Sequence, residues 1–220
     1  VSSSSDDPRS MFADHALSVA PRLLGARFAL AGPEGEVAVR ITEVEAYHGV
    51  GTPGVFDPGS HSKHRRTPRN ASMFGPPGHA YVYFSYGMHF AINMVCSPDG
   101  VASGVLIRSG EVIRGIDLAR RRRAVRRSTV PRDAHLARGP GNLAAALGVT
   151  RPLHDGLDLF AAPFAVELEP LPDVSTIRSG PRVGVAGEAG GPAFPWRFWI
   201  DGDPTVSAFR PGRGTPGSPR

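Results

Sequence analysis

The sequence predicts an α+β fold, a single mixed domain around a curved, mainly antiparallel β-sheet with peripheral helices. Three observations carry that reading. Short strand-like runs outnumber the stretches with helical spacing. The 220 residues include 27 Gly and 22 Pro, a load that suits many turns and disfavours a helix bundle or coiled coil. The length accommodates one domain with a real core and falls short of two, and no internal repeat or linker divides it. One domain is therefore expected over residues 11–209. Disordered tails are expected at 1–10 and 210–220, where Ser, Asp, Gly and Pro collect.

Taken in order, residues 10–24 place Phe12, Leu17, Val19, Leu23 and Leu24 at helical spacing, with Pro21 bending or dividing the helix. Gly25 hands over to a strand at 26–31. The turn Pro33-Glu34-Gly35 joins it to a second strand at 37–47, so the pair reads as a hairpin. Residues 48–68 form a long irregular loop, a feature that in a compact domain is usually functional or disordered. A helical turn over 69–74 ends at Gly75-Pro76-Pro77-Gly78. Residues 80–96 are the most strand-like in the chain, with a bend or bulge at Gly87. A strand at 101–108, a helix at 111–127 and a short helix at 142–147 follow. Short strands near 157–160, 182–185 and 196–200 complete the expected fold.

Charge and composition narrow the function. The formal net charge is +5, and all but one of the 25 basic residues are Arg, the exception being Lys63. Arg120–Arg123 with Arg126 and Arg127 form a local cluster, the kind of positive patch that marks a phosphate-binding surface. No apolar run approaches the 18 residues that would suggest a membrane helix. The single Cys96 cannot build a disulfide framework. The polar stretch 1–10 lacks an apolar signal core, so a cytoplasmic location is expected.

Several groups could carry chemistry. Glu43, Glu45 and Tyr47 alternate along one strand and so share a face, which suits either a salt-bridged edge or a catalytic wall. Tyr81, Tyr83, Phe84 and Tyr86 lie with His79 and His89 inside eleven residues. Aromatic residues at strand spacing read as core or as a platform for stacked bases, and three phenol hydroxyls favour a half-open site. His61 and His64 stand three apart, but no metal-ligand pattern is present and no metal is expected. Arg138-Gly139-Pro140-Gly141-Asn142 precedes a short helix and reads as a turn or as backbone donors for a phosphate.

The order of these pieces resembles the alkyladenine-type 3-methyladenine DNA glycosylases. The resemblance rests on Glu43-Val44-Glu45-Ala46-Tyr47, His61-Ser62, Thr67-Pro68-Arg69-Asn70, Met73-Phe74, Pro77-Gly78, Tyr81-Val82-Tyr83, Tyr86-Gly87-Met88, Asn93 and Leu106-Ile107-Arg108. It continues more weakly through Gly139-Pro140, Asn142-Leu143 and Arg182-Val183-Gly184-Val185. It implies monofunctional hydrolytic excision of alkylated or deaminated purines from double-stranded DNA, as in base excision repair, by a monomer without cofactor. By the same resemblance Glu45 is the water-activating carboxylate and Arg108 its neighbouring arginine. Tyr47, His61 and Tyr83 are walls around an extruded base, and Asn93 disfavours normal guanine. Tyr86 enters the duplex where the nucleotide left, and Met88, Arg69 and Arg138 contact DNA. Departures occur in the Gly- and Pro-rich loop 48–60 and at His89, where relatives carry Tyr. A non-catalytic RNA or single-strand binding module is the alternative that basic charge and an aromatic strand also suit. Glu45 discriminates the two, because a carboxylate in a phosphate-facing groove weakens binding unless it does chemistry.

Overall fold

The computed structural model describes residues 7–85, 87–125, 129, 131–170 and 172–216. Its centre is β2, Gly35–His48, a strand of 14 residues with neighbours on both edges. On one edge runs β5, Ser103–Arg114. The other edge is shared: β1, Arg27–Gly32, pairs with the first half of β2, and β8, Arg197–Ile200, pairs with Glu43–Glu45. β3 (Ala80–Ser85) and β4 (His89–Val95) extend the sheet beyond β5, β6 (Phe164–Glu167) extends it beyond β1, and β7 (Ile177–Gly180) pairs with β8. All these pairings are antiparallel. The expected α+β architecture is the one observed.

The core forms where the helical segments cover this sheet. The apolar spacing at 10–24 becomes a 3₁₀ turn at Pro8–Ala13, a short helix α1 at Ala16–Val19 and a second 3₁₀ turn at Ala20–Leu23. Pro21 sits in the first turn of that last piece, where its missing N–H costs nothing. Phe12, Val19, Leu23 and Leu24 are fully buried against the sheet. From the far side of the chain, α2 (Ile116–Ala124) and α3 (Pro140–Leu147) close the same core with Leu118, Leu143 and Leu147.

Several elements differ from expectation, each for a local reason. The helix expected from 111 starts at Ile116, because Glu111–Arg114 continue β5 against Ala38–Arg40. Gly115 makes the change of direction: its φ is +72°, and a Cβ there would collide with the Glu36 carbonyl. Arg126 and Arg127, the end of that expected helix, lie outside the described residues. Residues 80–96 are two strands joined by a turn in which Gly87 has φ +66°. Residues 157–160 make a single bridge, Asp158 to His79, and the Asp158 carboxylate instead holds Arg9 at 2.7 Å and the Phe160 N–H. Residues 182–185 pair with no strand among the described residues. β6, β7 and a short helix α4, Arg151–His154, come in addition to the expected elements. Of the expected tails, Pro8–Ser10 belong to the first 3₁₀ turn, and Gly212 and Thr215 are buried against the domain. Residues 1–6 and 217–220 lie outside the described residues.

Candidate active site

Two bulges in the β2–β5 ladder create the site. Pairing passes from Ile41–Gly110 to Glu43–Ser109 and then to Val44–Ile107, so Thr42 on β2 and Arg108 on β5 are each one residue extra. An extra residue reverses the faces of everything after it. Before the bulge Val37, Val39 and Ile41 enter the core; after it Val44 and Ala46 do. Glu43, Glu45 and Tyr47 are thereby turned out of the hydrophobic layer. On β5 the same shift turns Leu106 and Arg108 to the cleft side, with Val105 and Ile107 in the core.

The two glutamates then diverge. Glu43 is fully buried and saturated with donors. Arg197 Nε and Arg108 Nε donate to one oxygen at 2.6 and 3.1 Å, and Ser109 Oγ and the Ser207 N–H donate to the other at 2.7 and 2.8 Å. Burial works to raise its pKa, but the Arg108 and Arg197 charges and the hydroxyl and amide donors prevail and hold it below the usual carboxylate range. Glu45 is as buried as Glu43 but lies at the wall of a cleft of about 690 Å³. Its Oε1 accepts the Val183 N–H at 2.6 Å and lies 3.3 Å from Arg108 Nη1, while its Oε2 accepts the Tyr47 hydroxyl at 2.7 Å. Burial and the neighbouring Glu45 charge raise the Tyr47 phenol well above its ordinary value, so it remains a donor.

The cleft walls are aromatic. The rings of His61 and Tyr83 meet edge-on with centroids 4.7 Å apart, and Tyr81 and Tyr83 lie 5.5 Å apart. His61 Nδ1 is 3.2 Å from the Tyr81 hydroxyl. Loss of hydration within the cleft and the nearby Arg69 charge lower the His61 pKa, although the residue keeps an exposed surface. Asn93 is buried at the cleft and donates to the Tyr81 carbonyl at 3.1 Å. Lys63 and Arg69 stand along the same cleft.

Glu45, Arg108, Tyr47, His61, Tyr83, Asn93 and Arg69 thus converge on one cavity. Tyr86 lies outside the described residues, while Met88 is exposed at the hairpin turn beside Gly87. Arg138 does not reach the cleft wall; it donates to the Val206 carbonyl at 2.7 Å, and its neighbour Pro140 lines the cavity instead. Three arginines of the expected phosphate patch are engaged within the protein, while Arg121 is exposed and Arg126 and Arg127 lie outside the described residues. Arg120 pairs with Asp117 and Asp133, Arg122 donates to the last carbonyls of α3, and Arg123 donates to the Leu136 carbonyl.

Sequence reasoning missed the groups behind the wall. Arg182 is fully buried, clasps Asp57 at 2.7 and 2.8 Å, and lies 4.4 Å from the Tyr47 ring centroid. The segment 182–185, expected as a strand, is a loop whose backbone supplies the amide that holds Glu45. A main-chain donor carries no residue-type signal. Arg182 and Asp57, 125 residues apart, could be paired only by the fold.

Comparison with known proteins agrees with this geometry. The family described as Methylpurine-DNA glycosylase (MPG) matches residues 10–204. The presumed 3-methyladenine DNA glycosylase of Leifsonia xyli subsp. xyli is 49% identical over 203 residues, covering 92% of each chain. That of Streptomyces avermitilis is 50% identical over 207 residues, 92% of this chain and 91% of the relative. That of Nocardia farcinica is 50% identical over 212 residues, 92% and 93% of the two chains. An aromatic cleft with a carboxylate at its wall, on a chain matched along nearly its whole length, has one reading: the protein belongs to the methylpurine-DNA glycosylase family and is a DNA glycosylase of that type.

Proposed function

We propose that the protein removes alkylated or deaminated purines of the 3-methyladenine, 7-methylguanine and hypoxanthine class, with Glu45 activating the attacking water. The observation that carries the proposal is the contrast between the two strand carboxylates. Glu43 is enclosed by donors, whereas Glu45 lines the aromatic cavity. A base inside a duplex shields its sugar carbon, so the nucleotide must first rotate out, at a cost of a few kcal/mol that damage lowers. Tyr47, His61 and Tyr83 then supply faces and edges for an electron-poor purine. Tyr86, next to the turn residues Gly87 and Met88, is the side chain we assign to the vacated stack, with Met88 already exposed beside it.

In the chemical step the N-glycosidic bond breaks as a water oxygen bonds to C1′, and the water's proton passes to Glu45. The departing purine takes the bonding electron pair, and an abasic site remains. A base so placed contributes about 10²–10⁴-fold. Tyr47, Arg108 and the Val183 amide fix the carboxylate before the substrate arrives, so little reorganisation is needed during reaction.

The test uses duplexes with one hypoxanthine or one 7-methylguanine, followed by alkali to reveal abasic sites. Wild-type protein is expected to excise at least one of these. Glu45→Gln is expected to bind the lesion duplex within a few-fold of wild type and to lose at least about 100-fold in single-turnover rate. Excision by Glu45→Gln at the wild-type rate would refute the assignment.

A further inference from the structure

Residues 210–216 run back along the loop 183–187, which lines the cleft on its inner side. The Gly184 N–H donates to the Arg210 carbonyl at 2.8 Å, and the Gly187 N–H to the Arg213 carbonyl at 3.0 Å. Between them, the Thr215 hydroxyl, on a side chain buried at 6% exposure, lies 3.1 Å from the Val185 carbonyl and 2.9 Å from the Gly212 carbonyl. Gly212 is buried so closely against the Val185–Ala186 peptide that a Cβ there would overlap it. Gly190 approaches the same Val185 carbonyl with no more room. On the inner side, Val183 directs its N–H to Glu45 at 2.6 Å, and Val183–Ala186 form part of the cavity wall. All these contacts from 210–216 lie beyond residue 204, where the family match ends.

We propose that residues 210–216 are a strap that sets the cleft wall for the reaction, with Gly212 and Thr215 as positioning residues acting on Glu45 through Val183. The loop needs one. It has no strand partner among the described residues, and Gly184 and Gly187 have φ of +71° and +64°, a backbone with many alternatives to lose on ordering. Two backbone hydrogen bonds, a hydroxyl shared between the Gly212 and Val185 carbonyls and a glycine contact without slack hold it in one position. That position aims the Val183 amide at the carboxylate. A loop released from the strap carries that donor away, and Glu45 is then held only from the Tyr47 and Arg108 side. The inference rests on the reading of Glu45 as the base.

The experiment uses the full chain and three substitutions. Thr215→Val keeps the shape and removes the hydroxyl, Thr215→Ser keeps the hydroxyl, and Gly212→Ala presses a methyl onto the Val185 peptide. Each is measured for single-turnover excision at saturating enzyme, affinity for the same lesion duplex, melting temperature, and amide exchange of a peptide spanning 182–188. Thr215→Val and Gly212→Ala are expected to lose about tenfold or more in rate, as small misplacements of reacting groups do. Exchange across 182–188 should rise while exchange in β2 and β5 and the melting temperature stay near wild type. Thr215→Ser should remain within about twofold of wild type, since its hydrogen bond survives. Unchanged exchange and rate in both variants would overturn the strap, as would Thr215→Ser failing as badly as Thr215→Val. A rate loss that only follows a global melting loss would also overturn it. Should Gly212→Ala not fold, the two Thr215 variants decide the question by themselves. Failure of the Glu45 reading is separable. It appears as full excision by Glu45→Gln, and the exchange measurement still accepts or rejects the strap.

Discussion

Glu43 and Glu45 stand two residues apart on one strand, and their partners give them different work. Glu43 ties β2, β5, β8 and Ser207 together through two arginines and two serines. Neutralising one member of a buried, hydrogen-bonded ion group leaves the others uncompensated, at a cost of about 3–5 kcal/mol. Arg182 and Asp57 form a second such pair, both buried, with the guanidinium stacked between Tyr47 and Trp196. Asp57 also takes the Gly59 N–H and so fixes the loop that forms the cleft's outer wall. Arg182→Met is therefore expected to destabilise the fold by about 3–5 kcal/mol, because Asp57 is left buried and unpaired. Denaturant melts check this, and the double variant Arg182→Met with Asp57→Asn should recover part of the loss.

The elements show how far local chemistry reaches. In α2 two arginines are used inside the protein, Arg122 capping α3 and Arg123 buried on the Leu136 carbonyl, while Arg121 is exposed. Arg120 spans Asp117 and Asp133. The loop 63–69 differs, because Arg65, Arg66 and Arg69 are exposed and Arg69 borders the cleft. This contrast predicts which arginines meet phosphate. Arg65→Ala and Arg69→Ala are each expected to make the log–log dependence of DNA affinity on salt shallower, by about 0.9 for every phosphate no longer neutralised. Arg120→Ala should leave that slope at the wild-type value. Binding titrations over a series of salt concentrations measure both, and equal slopes for all three variants would place the phosphate track elsewhere.

At the scale of the whole molecule, stability is tied to pH. Burial and the nearby His48 hold the His15 pKa below 6.5, and burial does the same to His154, so both resist protonation in the folded state. The folded pKa of each is depressed, so the stability it contributes is present above 6.5 and falls as pH drops through the folded value. The same sign holds for Glu43. Its burial is outweighed by Arg108 and Arg197, and its contribution is complete above its ordinary 4.5 and is lost as pH falls through the lower folded value. Melting temperature is therefore expected to decline in two stages, beginning below pH 6.5 and steepening below 4.5. Melts in buffers from about pH 8 to about pH 3.5 check this, and a melting temperature that rises on acidification would contradict it.

Much of this architecture was legible in the residues. Alternation along 37–47 and the Pro33–Gly35 turn depend on near neighbours, and they placed β1 and β2 within a few residues, whereas the run 80–96, expected as one strand bent or bulged at Gly87, folds as two paired strands. The order of Glu45, Tyr47, His61, Tyr83, Asn93 and Arg108 was enough to resemble a family, and the fold brings all six to one cleft. The resemblance picked Glu45, but the residues' own alternation could not say which carboxylate faces the cavity. Strand alternation puts Glu43 and Glu45 on one face, but burial of that face depends on the Thr42 and Arg108 bulges and on what β8 and Ser207 bring against Glu43. The Arg182–Asp57 pair, the Val183 amide and the 210–216 contacts join positions far apart in the chain, and a backbone N–H looks the same at every residue. Local pattern reports what a segment favours by itself. A hydrogen bond across a hundred residues exists only once the fold has closed the distance.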